Sequence, residues 1–313
     1  MLILILLIVL LAVFLYALYF GYKLAFQYED PLSSPYNYPD TDQTRKVKPV
    51  LDPAIAAFLE VPFEEVSITS RDGLKLTGRY YHVADGGPLE IQCHGYKGNP
   101  FVDFAGAWRI AKEAGRNVLL INQRCHGGSE GHTITFGILE KQDLLDWITY
   151  ANNRFGQIPM LLNGVSMGAA TVLMVSGMEL PENVKGIIAD CPYDSPANII
   201  KKVLGQDMGM PVKIVYPLIK LGGMLYGKFN LNADSPVEAV KRSKLPILLI
   251  HGDDDRFVPH PMSCNIYAAA AATIEFHTIS GASHAMNYVT DPETYTAIVG
   301  AFTKKCLPRK ETA

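Results

Sequence analysis

No acidic or basic side chain occurs between Met1 and Tyr22. An uncharged apolar run of that length is poorly suited to a soluble surface, and it reaches the roughly 20 residues that a membrane-crossing helix needs. A cleaved signal peptide would carry a basic start, a shorter apolar core and a small-residue cleavage site. The basic start and an Ala-x-Ala site are both missing. The sequence therefore predicts an uncleaved, single-pass anchor over residues 1–26, with Tyr16, Tyr19 and Tyr22 where an aromatic belt would lie.

Other absences narrow the function. No Lys/Arg run interrupts the chain, and the net charge is −3, so a nucleic-acid footprint is not expected. The cysteines number five, with no CxxC pair, which argues against a disulfide framework and against a zinc cluster. Cys93 and Cys191 sit in or beside apolar runs and read as small buried hydrophobes. There is no Walker motif and no HExxH, so no metal or cofactor is expected.

What is present alternates strand and helix. Residues 27–58, rich in Pro, Tyr, Asp and Ser at their start, lack periodicity and read as a tether. From residue 59 to 308 the pattern is that of one α/β domain. Two alternating segments flank Arg71-Asp72-Gly73, the signal of an antiparallel hairpin. Apolar strands at PLEIQC, NVLLINQ, PMLLNGV, VKGIIAD, LPILLIHG and TIEFHTIS alternate with amphipathic helices such as AWRIAKEAGR. Such crossovers imply a mainly parallel sheet covered on both faces.

The chemistry lies at the ends of these strands. Gly164-Val165-Ser166-Met167-Gly168 is a G-x-S-x-G segment between an apolar strand and a helix, the setting a nucleophile elbow requires. A serine needs a base and an orienting acid. Those should follow in the chain order Ser, Asp, His. His251-Gly252-Asp253-Asp254-Asp255 follows one later strand and Gly281-Ala282-Ser283-His284 the next, so His284 is the candidate base. On position alone Asp253, Asp254 and Asp255 all compete for the acid. The oxyanion would be held by the backbone N–H of Met167 and by that of Tyr96, in the loop His94-Gly95-Tyr96-Lys97-Gly98-Asn99.

The set HGYKGN, GVSMG, HGDDDRFVP and GASH resembles the serine-hydrolase branch of the α/β-hydrolase superfamily, with most similarity to bacterial esterase, lysophospholipase and acyl-aminoacyl-peptidase-like members. The resemblance covers residues 60 to 305. It implies the α/β-hydrolase fold and selects Asp255, which aligns with the aspartate of the H-G-x-x-D-x-x-V-P motif. It also implies that Arg124–Gly131 is similar to a structural R-G-x-G-x-S-x-G loop, with His126 where glycine is usual. The H-G-G-G motif of one lipase group is absent.

Residues 192–244 form an insertion rich in Met, Ile, Leu and Tyr, expected as a small helical cap. Anchor and cap together suggest a serine hydrolase acting on a small-molecule carboxylic ester, with an acyl or lipid-derived compound favoured. A serine peptidase on short peptides and a non-catalytic binding protein on the same scaffold are the alternatives. Lys23, Arg45, Lys46 and Lys48 place the catalytic domain on the cytoplasmic side of the membrane. Removal of residues 1–28 is expected to release a soluble, active domain.

Overall fold

Periodicity becomes topology in a computed structural model that describes residues 1–29, 35, 36, 38, 40–271 and 273–307. In chain order, α1 (Leu2–Ala25) and α2 (Asp42–Leu59) precede β1 (Glu64–Thr69) and β2 (Lys75–Tyr81). Next come β3 (Leu89–Cys93), α3 (Pro100–Glu113), β4 (Asn117–Ile121), α4 (Glu140–Phe155), β5 (Met160–Val165), α5 (Met167–Ser176) and β6 (Val184–Asp190). The insertion supplies α6 (Pro196–Lys202), a π-helical turn (Val203–Asp207), α7 (Val212–Tyr226) and α8 (Pro236–Val240). The chain then forms β7 (Ile247–Gly252), α9 (Pro261–Ala269), β8 (Ile274–Ile279), α10 (Asn287–Thr290) and α11 (Pro292–Cys306).

The strands make one sheet in the order β1-β2-β4-β3-β5-β6-β7-β8. The β1–β2 and β2–β4 pairs are antiparallel and all later pairs are parallel. Every residue of β3, β4, β5 and β7 is buried, as expected for strands covered on both faces, and this is why they read as unbroken apolar runs. Each Leu, Ile or Val buried here contributes roughly 1.5–3 kcal/mol. Parallel pairing brings the C-terminal ends of β3, β5, β7 and β8 to one edge, and with them the loops that carry the motifs.

Part of the tether reading is corrected. Residues 42–59 form α2, not an irregular linker. Its Thr41 cap is a capping box with Thr44, while Pro49 and Pro53 lie inside the helix. Interior prolines cost about 3 kcal/mol each, which is why the segment looks broken in sequence. Burial of Leu51, Ile55 and Phe58 contributes a sum of the same size, at roughly 1.5–3 kcal/mol apiece. Phe58 stacks on Trp108 of α3 with ring centroids 5.4 Å apart.

The N-terminal helix has two unlike halves. From Leu2 to Leu15 its large apolar side chains are exposed, whereas Leu18, Gly21, Tyr22 and Phe26 are buried against the insertion. It is long and apolar enough to cross a membrane. Its end crosses α7 at close range. A Cβ at Gly222 would stand 2.3 Å from the Leu18 carbonyl oxygen, so glycine is required for this approach. Phe26 is fully buried between Phe229 and Phe136, and its carbonyl accepts the Ile134 N–H at 2.8 Å. The junction is therefore built into the domain, and the expectation that residues 1–28 come away cleanly does not fit it.

Candidate active site

Close packing explains the elbow. A Cβ at Gly168 would lie 1.8 Å from the Cys93 carbonyl oxygen, and one at Gly164 would lie 2.3 Å from the Gly168 backbone. Only glycine lets β5 turn into α5 here. Ser166 between them has φ 55°, a left-handed conformation that costs of order 1–3 kcal/mol in a non-glycine residue. The strain lifts its side chain off the sheet edge, and the Ser166 N–H donates to the Asp190 carbonyl at 2.8 Å.

Three of the residues singled out in sequence stand in one hydrogen-bonded line. Ser166 Oγ is 2.9 Å from His284 Nε2, and His284 Nδ1 is 2.7 Å from Asp255 Oδ2. Asp255 is fixed independently, because its Oδ1 accepts the N–H groups of Phe257 and Val258 at 3.0 and 2.8 Å. Asp253 and Asp254 do other work. Asp253 accepts the Gly281 N–H at 2.6 Å, and Asp254 pairs with Arg256 and with Gln43 of α2.

Electrostatics follow from this arrangement. Burial opposes ionisation of Asp255, but the His284 charge and hydrogen bonds from His251 and His284 outweigh it and hold the carboxyl well below the usual range. Burial likewise disfavours the His284 cation. The charge and hydrogen bond of Asp255, helped by Asp103 and Asp190, prevail and raise the imidazole above 6.5. His284 is thus tuned upward by carboxylates that surround it.

The loop after β3 lies against Ser166. A Cβ at Gly95 would be 3.3 Å from the Ser166 Cβ, so the backbone passes as near as it can. The next residue is Tyr96, and Met167 opens α5; their N–H groups are the ones singled out as oxyanion donors. Three supports of this loop carry no clear sequence signal. Asp103 Oδ2 accepts the Gly95 N–H at 2.7 Å. His126 Nε2 accepts the N–H of Lys97, itself at φ 49°, at 3.0 Å, while its Nδ1 donates to the Arg124 carbonyl at 2.8 Å. Burial pushes His126 down to about 4, so it stays neutral and accepting. His94 repeats the device, accepting the Gln123 N–H at 3.1 Å.

Asp103 was missed because α3 begins earlier than its amphipathic stretch suggests. Asn99 caps it and Pro100 starts it, which puts Asp103 in the first turn, where an acid looks like ordinary helix-end chemistry. His251 was passed over as well. Fully buried, its ring contacts Ser263 Oγ at 2.6 Å and the Val258 carbonyl at 2.8 Å, and its Nε2 lies 3.2 Å from Asp255. It buttresses the acid loop.

Cys191, Asp255 and His284 place possible ligand atoms within 4.8 Å of one another. Burial and the nearby charges of Asp190 and Asp255 push the Cys191 thiol far up. It is therefore held as a thiol, and the imidazole nitrogen in this group is already committed to Asp255.

Above Ser166 lies an apolar cavity of about 220 Å³. Its walls include Phe136, Tyr193, Ile200, Leu204 and Ile219, and among the described residues no Asp, Glu, Lys, Arg or His lines it. The π-helical turn presents Val203 and Leu204 to it.

Comparison with known proteins agrees with the architecture. A family profile described as alpha/beta hydrolase fold matches residues 91–212, and an esterase of Pyrococcus furiosus superposes with a TM-score of 0.64 over 90% of this chain and 98% of its own, at 20% identity. The chain has the α/β-hydrolase fold. Est1E of Butyrivibrio proteoclasticus, solved with ferulic acid bound, has the same fold at a TM-score of 0.60, covering 78% of this chain and 100% of its own at 19% identity. In sequence, the uncharacterized protein YqkD of Bacillus subtilis is 28% identical over 75% of this chain and 77% of its own. The thiohydrolase aneE of Aspergillus aculeatus is 31% identical over 42% of each. Those likenesses support an α/β-hydrolase relationship and leave its branch open.

Proposed function

We propose that this α/β-hydrolase is a membrane-anchored serine esterase that cleaves a carboxylic ester through an acyl-enzyme on Ser166. The observation that carries the reading is the unbroken line from Ser166 Oγ through His284 to Asp255, at 2.9 and 2.7 Å. Ser166 Oγ attacks the carbonyl carbon while its proton passes to His284 Nε2. Asp255 keeps Nδ1–H oriented and balances the imidazolium. The tetrahedral oxyanion is met by the N–H groups of Tyr96 and Met167, each such donor being typically worth about 3 kcal/mol of barrier. As the carbonyl re-forms, the C–O bond to the leaving group breaks and Nε2 returns the proton to the alcohol. Water then repeats the sequence on the acyl-enzyme and releases the acid.

An ester is favoured over an amide by the apolar cavity, which offers no charged side chain to hold a peptide backbone or terminus. The exposed half of α1 supports the anchor.

The test uses full-length protein in detergent with a fluorophosphonate probe. Labelling of the parent and not of Ser166→Ala is expected, with turnover of p-nitrophenyl esters exceeding that of matched anilides. Equal labelling of both, or none in the parent, would sink the serine reading. Faster anilide turnover would move the protein to the amidases.

A further inference from the structure

The N-terminal helix is more than a tether. Leu24 and Ala25, in its last turn, line the same cavity as Ser166. The Ala25 carbonyl accepts a hydrogen bond from the Tyr96 hydroxyl at 3.2 Å, so the helix end is joined to the residue proposed as an oxyanion donor. Tyr22 and Tyr28 fasten the same turn to the loop before α4, through Thr133 Oγ1 at 2.6 Å and the His132 carbonyl at 3.1 Å.

Apolar surface continues where α1 docks. On the neighbouring α7, Ile214, Leu221, Met224 and Leu225 are all exposed, and Tyr226 donates from its hydroxyl to the Leu15 carbonyl at 3.2 Å. The part of α1 clear of the domain, residues 2–14, rises about 20 Å, against a hydrocarbon core of roughly 30 Å. A bilayer seated on α1 therefore reaches the docked turn and the exposed face of α7. The same helix carries Lys213 and Lys220, and Lys228 follows its end, cations of the kind that suit an apolar surface beside anionic headgroups.

We propose that α1 is a structural wall of the substrate cavity, and that the substrate is a single-chain acyl ester drawn from the bilayer, its chain passing along the α1–α7 seam to Ser166. This rests on the esterase reading above and names its substrate class. The cavity's size supports one unbranched chain. At about 220 Å³ it is smaller than the roughly 300–1,000 Å³ typical of sites for bulkier ligands. Its composition supports a chain without charge along its length.

The experiment uses the full chain reconstituted in phosphatidylcholine nanodiscs, with p-nitrophenyl esters from acetate to palmitate and fluorophosphonate labelling alongside. Ala25→Trp should shift the preferred chain to shorter lengths, with the longest esters losing about tenfold or more relative to the short ones, since each methylene excluded from an apolar site costs at least that. Leu24→Ala should shift the preference the opposite way, and it guards against a folding defect in the bulkier variant. Val9→Trp, on the exposed half of α1, should change nothing. An unaltered chain-length profile in both Ala25→Trp and Leu24→Ala, with labelling intact, would overturn this inference and leave the esterase standing. A parent that does not label would remove the esterase reading, and this inference with it.

Discussion

The floor and the roof of the cavity are built on opposite principles. The floor is polar and over-determined: Ser166, His284 and Asp255 are each held by backbone or side-chain partners, and Asp103, His126 and His251 hold the loops around them. The roof is apolar and held by packing, with α7 resting on the end of α1 through Gly222 and the Phe26–Phe229 contact. Chemistry demands a particular atom at each floor position. Packing demands only volume and shape, which many sequences supply. One half is thus specified residue by residue and the other only as a surface.

Breaking the floor should have the largest effect. Ser166→Ala should lower kcat by a factor on the order of 10⁶, read in an ester assay, because the remaining groups have no nucleophile to serve. Asp255→Asn should cost about 10⁴ in kcat with the fold intact by circular dichroism, since the amide leaves His284 in the wrong tautomer and without a counter-charge. A variant within tenfold of the parent would mean that Asp255 is not the orienting acid.

Breaking the junction of floor and roof comes next. Deletion of residues 1–28 removes buried Phe26, a cavity wall and the partner of the Tyr96 hydroxyl. We expect a loss of about 10² in kcat/KM on long-chain esters, the scale of an ångström-level misplacement at a reacting centre. Deletion of residues 1–13, all on the exposed half, should leave the detergent-solubilised enzyme unchanged. A soluble, fully active protein lacking residues 1–28 would show that floor and roof are independent.

The same contrast explains what was legible in the sequence. The glycines flanking Ser166 could be read directly, because steric clash admits few substitutes, and the strand-end positions of Ser166 and His284 anticipated the hydrogen bond between them. Asp255 could not be told from Asp253 and Asp254 by position, since three adjacent aspartates differ only in the direction of their side chains; likeness to a family motif was needed. Asp103 and His126 act on backbone N–H groups more distant in the chain, a relation that leaves no spacing pattern. α2 was concealed by two prolines, whose local cost is met by burial on α3, a tertiary effect. The docking of α1 on α7 was illegible for a similar reason: in an unbroken apolar helix, nothing in composition marks which turns pack on the domain.

The acid limb of the pH profile reports on the floor alone. In the proposed mechanism His284 must be neutral to accept the serine proton, and the charge of Asp255 raises its pKa above the ordinary imidazole value, so the acid limb of activity should lie at higher pH than for a free imidazole. Asp103 contributes to that elevation by its charge. Its own carboxyl is raised to about 6 by burial, so it is ionised on the alkaline side of that value and then stabilises the imidazolium. Asp103→Asn keeps an oxygen able to accept the Gly95 N–H and removes the charge. The His284 pKa should therefore fall, and the acid limb of kcat/KM should move to lower pH, with the preferred acyl chain unchanged. Leu204→Ala in the roof should do the reverse, altering chain preference and leaving the limb in place, because among the described residues no carboxylate, amine, guanidinium or imidazole lines that cavity. A pH shift in Leu204→Ala would show that the roof controls the water around His284, and the separation of a charged floor from an inert roof would then have to be abandoned.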